Sequence, residues 1–238
     1  MSEFTPECIA RLRKVSTATL TTQMFKRGFR NVFLQGVRPA GKHAENMVGA
    51  AYTLRSIPAR EDLDVLEAFA NPEHPQRKAV ENAPAGKVLV QDCRGDARVA
   101  SGGDILMTRL MVRGAAGMVT DGGIRDSATI AGMRMPVYAA QPSAPLNLVH
   151  HHATDIDVPI ACGGVAVYPG DMVVGDADGV VIIPAHLAEE VAVDAEEQEA
   201  MEEFLKARIA SGAPLPGTYP PNDATKAAYA EWRASRKP

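Results

Sequence analysis

The segment Ser101 to Asp126, SGGDILMTRLMVRGAAGMVTDGGIRD, concentrates residue types suited to chemistry on a small anion. Gly102 and Gly103 precede a helix-like run that opens at Asp104. A helix start exposes unpaired N–H groups at the positive end of the backbone dipole. The amides of Gly103, Asp104, Ile105 and Leu106 are therefore candidates to cradle an anion. At the far end, Arg125 offers a planar guanidinium able to fork onto a carboxylate, and Asp126 offers a hard oxygen ligand for a cation. Together these groups suit a 2-oxo acid chelated to a metal. Each alone has a plainer reading, a glycine loop or a solvated Arg-Asp turn, and it is their joint placement that singles them out.

That placement needs a helix closed by Gly114 and a buried strand from Ala115 to Thr120. The carboxyl end of such a strand, here carrying Asp121 to Asp126, is where α/β sheets bind ligands. Upstream, the pattern predicts a first helical turn near Pro6 and a second helix capped at Ser16 or Thr17 and closed by Gly28, burying Leu20, Met24 and Phe25. Strands are expected over 32–37 and 47–57. Arg55 and Arg60 read as surface or interface charges. Asp62 to Ala70 reads as helix, NPEHPQRK as a loop entering a short helix, and His74 as a solvated loop histidine. Lys87 to Cys93 reads as a strand whose Asp92 either faces the same cleft or caps a turn.

Past Asp126, a short helix is expected over 127–133 and a strand over 136–139. His150, His151 and His152 are consecutive, which scatters them over different faces and does not match the i, i+4 spacing of a two-histidine metal site. Residues 155–184 read as all β, with hairpin turns at Pro169-Gly170 and Asp178-Gly179. Asp176 and Asp178 lack the rest of a calcium loop. Residues 185–212 read as a long acidic amphipathic helix with Leu187, Val191, Phe204 and Leu205 among its apolar positions. A proline-rich connector and a helix capped near Asn222 or Asp223 complete the chain, and Tyr229 and Trp232 call for a surface on which that helix docks. The expected division is one domain over 1–211 and a tail over 212–238.

A chain of 238 residues with 46% apolar content can bury one large core. The net charge of -4, without a long basic cluster, argues against a nucleic-acid surface. Cys8, Cys93 and Cys162 are odd in number and show no CxxC spacing, which points to a reducing compartment. The N-terminus lacks a signal-like apolar core and no apolar run approaches a membrane span, so a cytoplasmic protein with no membrane partner is expected.

The spacing of Asp104, twenty residues and then Arg125-Asp126 resembles the signature of the class II pyruvate aldolases typified by 4-hydroxy-4-methyl-2-oxoglutarate aldolase. That family also contains the regulator of ribonuclease activity A. VSTATLTTQMFKRG, GMVTDGGIRD and YPGDMVVGDADGVVIIP extend the resemblance over roughly residues 15–205, while LRSIPARED, NPEHPQRKAVE and the tail resemble a longer branch. The resemblance implies an α/β fold, a single swivelling β/β/α domain with a C-terminal helical tail, assembled as a homotrimer or hexamer. It also implies that Arg125 grips the substrate carboxylate, Asp126 holds a divalent metal, the amides of Gly103 to Leu106 complete the nest, and Asp104 is the acid/base group. An acidic residue of a neighbouring subunit is expected to reach the metal's waters, with Glu196 to Glu203 the place to look. Thr129 departs from the pattern: many members with aldolase activity carry an acidic residue there, which bears on substrate choice and on aldolase activity itself.

Cleavage beside a 2-oxo acid needs an electron sink, either a lysine Schiff base or a Lewis-acid metal. No lysine occurs between Lys87 and Lys206, which disfavours the first route. A lone carboxylate that leaves other positions to water and substrate suits Mg2+ or Mn2+ better than zinc. The expected activity is cleavage of a 4-hydroxy-2-oxo acid to pyruvate, with oxaloacetate decarboxylation as a side activity. Two rivals stand beside it: a lyase or dehydratase acting on a sugar-derived 2-oxo acid, and a non-catalytic protein that inhibits a ribonuclease.

Overall fold

In the computed structural model, which describes residues 4–236, the chain opens with two helices set by local capping. The Thr5 hydroxyl accepts from the Cys8 amide and Pro6 takes the first position of α1 (Pro6–Leu12). Ser16 likewise caps α2 (Thr17–Lys26), and Gly28, at φ +87°, lets the chain turn away. Leu20 and Met24 are buried as expected, whereas Phe25 is 58% exposed and carries the Arg30 guanidinium over its ring. The strand expected over 32–37 does not form. Phe33 makes an isolated bridge to Val181, flanked by the Leu34 amide donating to the Val180 carbonyl and the Ile182 amide donating to the Val32 carbonyl. Val32, Leu34 and Val37 are buried, so the segment pairs locally without extending into a regular strand.

Two strands follow, β1 (Arg38–Pro39) and β2 (Met47–Pro58). The helix expected over 62–70 shrinks to a 3-10 turn at Leu66–Ala70. The Asp64 carboxylate takes the Arg60 amide and Asp62 takes the Arg60 guanidinium, local bonds that compete with helix formation. Next come α3 (Pro75–Asn82), β3 (Val88–Asp92), α4 (Asp104–Arg113), β4 (Gly117–Thr120), β5 (Gly123–Ile124) and α5 (Ser127–Ala131). The second half holds β6 (Val137–Ala139), β7 (Gln141–Pro142), β8 (His151–Ile156), β9 (Ile160–Cys162), β10 (Val165–Val167), β11 (Met172–Gly175) and β12 (Val180–Ile183), then α6 (Ala188–Ala210) and α7 (Asp223–Ser235). Asp178-Gly179 joins the antiparallel pair β11 and β12 as expected. Pro169-Gly170 does not make a hairpin, because β10 pairs with β9 through Gly163-Gly164 instead.

The main sheet runs β1-β6-β4-β3-β2-β11-β12, with β8 also on β2, and is barrel-like. Its centre, β2, β3, β4 and β6, is parallel. β2 is the spine: residues 47–50 pair with β11, 51–55 with β3 and 54–58 with β8. Its first eight residues are therefore buried on both faces instead of alternating. Successive side chains still go to different cores. Met47, Ala51, Val88, Val90 and Val119 meet the β9–β10 hairpin, while Leu54, Leu89 and Met118 meet α3 and α4. Val48, Ala50, Val174 and Val181 pack under α1, α2 and α6. The result is an α/β swivelling β/β/α fold with a C-terminal helix. That helix docks as its aromatics require: Tyr229 and Trp232 stack against Phe204 of α6. Among the described residues, no helix is long and apolar enough to cross a membrane.

Candidate functional site

The amides expected to cradle an anion lie at the start of α4. Gly103 is its N-cap, and Gly114, left-handed at φ 80°, returns its amide to Leu110 and Met111 carbonyls. Met107 and Leu110 anchor the helix by burial, each stabilising it by about 1.5–3 kcal/mol. The first amide to find a helical partner is that of Met107, which donates to the Gly103 carbonyl at 3.1 Å. The Ile105 and Leu106 amides find no acceptor among the described residues, which leaves them for a ligand.

Arg125 and Asp126 are brought to that nest by backbone stitching. Ser101 donates its amide to the Gly123 carbonyl at 2.7 Å, and Arg125 donates its own to Gly102 at 3.1 Å. Asp126 stands at the N-cap of α5 with φ 56°, a left-handed conformation unusual for a residue with a side chain. Its Oδ2 accepts from the Asp104 amide and from Arg125 Nε, both at 3.3 Å. A Cβ added to Gly103 would lie 2.6 Å from that same oxygen and 2.9 Å from Arg125 Nε. A side chain at 103 would therefore displace the Asp126 carboxylate and the Arg125 side chain, through close approach and not through an unusual φ.

All six residues singled out from the sequence, Gly103, Asp104, Ile105, Leu106, Arg125 and Asp126, line one cleft of about 350 Å³. The Asp104 carboxylate has no hydrogen-bond donor among the described residues. Asp92 does not share the cleft: it is buried and accepts from the Arg94 and Ala161 amides. Burial pushes its carboxyl above the usual carboxylate range, with those two bonds opposing. Asp121 is buried likewise, accepting from the amides of Cys93, Gly95 and Gly163. The histidine run is dispersed as expected. His150 meets Asp96, His152 meets Asp64, and His151 is buried. No group of three His, Cys, Asp or Glu able to hold a metal occurs among the described residues.

Part of the lining was not foreseen from the sequence. Leu66, Phe69, Gln76, Arg77 and Asn147 also face the cleft. Gln76 is buried and its amide donates to the Ser101 carbonyl at 2.6 Å, fixing the start of α3 beside the nest. His74, expected to be solvated, is 9% exposed and packs edge-on to Phe69 at 5.3 Å. Burial first, then the Arg77 and His152 charges, lowers its pKa, while Asp64 opposes. Only NPEHPQRKAVE drew attention to this region, and nothing in it showed which side chains turn inward. The glutamates of α6 are engaged within the chain: Glu196 with Arg11, Glu199 with Ser16, Glu197 with Tyr229 and Glu203 with Arg236.

The RraA-like family profile, Aldolase/RraA, matches residues 17–182, a span that contains the whole nest and Arg125-Asp126. The chain belongs to the RraA-like family. A Halalkalibacterium halodurans protein named "putative 4-hydroxy-4-methyl-2-oxoglutarate aldolase" is 30% identical over 209 residues, covering 88% of this chain and 91% of the relative. The Streptomyces coelicolor RraAS2 structure, described as an unusual member of the RNase ES inhibitor RraA protein family, is 30% identical with TM-score 0.74. It covers 87% of this chain and 98% of its own. A Pseudomonas syringae pv. tomato structure with TM-score 0.77 and 23% identity, covering 92% of this chain and 100% of its own, is similar in fold. RraA-like architecture thus extends over most of this chain, α3 and its flanking turn included.

Proposed function

We propose that this RraA-like protein is a divalent-metal-dependent lyase that cleaves a 4-hydroxy-2-oxo acid to pyruvate, with oxaloacetate decarboxylation as a side activity. The observation that carries the reading is the convergence of free α4 amides, the Arg125 guanidinium and the Asp126 carboxylate in one cleft. The aldolase name of the H. halodurans relative is consistent with it. A metal fits the donor set. Asp126 is part-exposed, and its Oδ1 has no donor among the described residues, so a hard ion such as Mg2+ or Mn2+ could take one protein oxygen and leave its remaining positions to water and substrate. Bound there, such an ion supplies a Lewis acid for the negative charge that develops as the carbon–carbon bond breaks.

The chain's own groups do the rest. Arg125 and the Ile105 and Leu106 amides hold the substrate carboxylate and orient the 2-oxo group. Asp104, directly or through a water, takes the proton of the 4-hydroxyl. The C3–C4 bond breaks, C4 leaves as a carbonyl, and the electron pair forms the enolate of pyruvate. A proton returned to C3 completes pyruvate. The test is pyruvate release from oxaloacetate and from 4-hydroxy-4-methyl-2-oxoglutarate with magnesium, manganese or a chelator. Metal-dependent release from either supports the reading, and no release from both overturns it. A non-catalytic, ribonuclease-binding role is the second reading, favoured by the membership of the S. coelicolor neighbour in an RNase ES inhibitor family. Capture of a ribonuclease without metal-dependent turnover would establish it. The site's subunits are proposed to assemble as a trimer or hexamer in the cytoplasm.

A further inference from the structure

The cleft carries a second guanidinium that the lyase reaction does not use. Arg77 lines it together with Arg125, yet among the described residues Arg77 forms no ion pair and donates no hydrogen bond. Its guanidinium carbon lies 4.3 Å from the centre of the Phe69 ring, a contact that holds the planar head without using its donors. Gln76, the preceding residue, is tied to Ser101, so the first turn of α3 is fixed relative to the nest. Asn147 supports the same picture: it is 7% exposed, lines the cleft, and its side-chain amide engages no other described residue. Burial and the charge of Arg125 both lower the Arg77 pKa, so the two cations are close enough to repel.

A part-buried guanidinium with five unused donors next to another cation is costly unless an anion satisfies it. Arg125 already has Asp126 beside it, at 3.3 Å. Arg77 has no such partner among the described residues. We propose that Arg77 is a specificity-determining residue that binds a second carboxylate, at the end of the substrate remote from the 2-oxo group, so that the cleft selects 2-oxo dicarboxylates over monocarboxylates. Asn147 is placed to donate to the same group. The inference rests on the 2-oxo acid reading of the cleft, because Arg125 and the nest must hold the first carboxylate.

The experiment compares equilibrium binding of 2-oxoglutarate and 2-oxopentanoate, acids of equal chain length that differ only in the terminal carboxylate, by calorimetry in magnesium buffer. The native protein should prefer 2-oxoglutarate by about tenfold to a hundredfold. Arg77→Gln should abolish that preference, weakening 2-oxoglutarate far more than 2-oxopentanoate. Arg77→Met, which keeps an unbranched stem for the Phe69 ring, should do the same and guards against a folding defect in the first variant. Equal native affinities, failure of the native protein to bind either acid, a preference that survives both variants, or equal loss of both acids would overturn the assignment. Pyruvate release, measured separately, distinguishes the two failures. Turnover without discrimination between the acids removes the role of Arg77 alone, and discrimination without turnover removes the lyase reading alone.

Discussion

The Asp126 Oδ2 atom lies 3.3 Å from the Asp104 backbone nitrogen, so the proposed metal ligand accepts from the amide that opens the helix proposed to hold the substrate. The Asp126 carboxylate and the start of α4 are thereby held together, with Gly103 the residue whose missing side chain leaves room for the contact.

Asp126→Ala should remove metal-dependent pyruvate release, lowering turnover by at least about a hundredfold, since Lewis-acid stabilisation supplies several kcal/mol. The check is turnover across a magnesium titration beside a far-ultraviolet spectrum of the variant. Near-native turnover of the variant at the magnesium concentration that half-saturates the native protein would be incompatible with a direct ligand.

Gly103→Ala should be a large defect of activity with only a small defect of stability, the latter from loss of the glycine N-cap. The backbone at 103 is extended, at φ -127°, and accepts any residue, but the new methyl would collide with the Asp126 carboxylate and the Arg125 side chain. A displacement on the ångström scale there should lower kcat/KM by about a hundredfold while the melting temperature stays near that of the native protein. Steady-state kinetics and a thermal melt on one preparation read both.

The reverse is expected at Asp121, which does not line the nest. Its carboxylate accepts from three backbone amides, and Asp121→Ala leaves the buried ones unpaired, at a cost of roughly 2–4 kcal/mol. Urea unfolding measures it. A loss smaller than the error of the fit would mean that water replaces the carboxylate.

Acid should loosen the cleft wall at His74. Its pKa in the fold is lowered below the unfolded value, so the unfolded chain binds the proton more readily. The stabilisation is fully present above the unfolded pKa, about 6.5, and fades as pH falls through that value toward the lower folded one. The melting temperature should drop between pH 7 and pH 5, and His74→Gln should flatten the drop. His151, also lowered by burial, contributes a parallel share that the variant leaves in place.

The nest and the Arg-Asp pair were legible because their chemistry is compressed into one helix–strand unit punctuated by glycines, where spacing alone fixes which ends meet. Arg77 and Asn147 were not, because they arrive from α3 and from the turn before β8, and no period in the sequence reports the direction of a single polar side chain. His74 was misjudged for a related reason: its burial comes from Phe69, supplied by a 3-10 turn where a helix was expected. Phe25 erred the other way, an apolar residue at a core spacing one step past the edge of the buried stripe. Over 32–37, hydrophobic content registered correctly but the extent of pairing did not: the segment bonds to β12 around Phe33, and burial rather than a continued ladder accounts for Val37.

The side chains of α6 reach both ends of the chain. Glu189 holds Thr5, Glu196 holds Arg11, Glu199 holds Ser16 and Glu190 holds Arg27, while farther along Glu197 and Glu203 hold Tyr229, Arg233 and Arg236. One rod thus clasps the first two helices and the last. In hydrogen exchange α1, α2 and α7 should open together as a single foldon, and opening of α7 should register in α1 and α2.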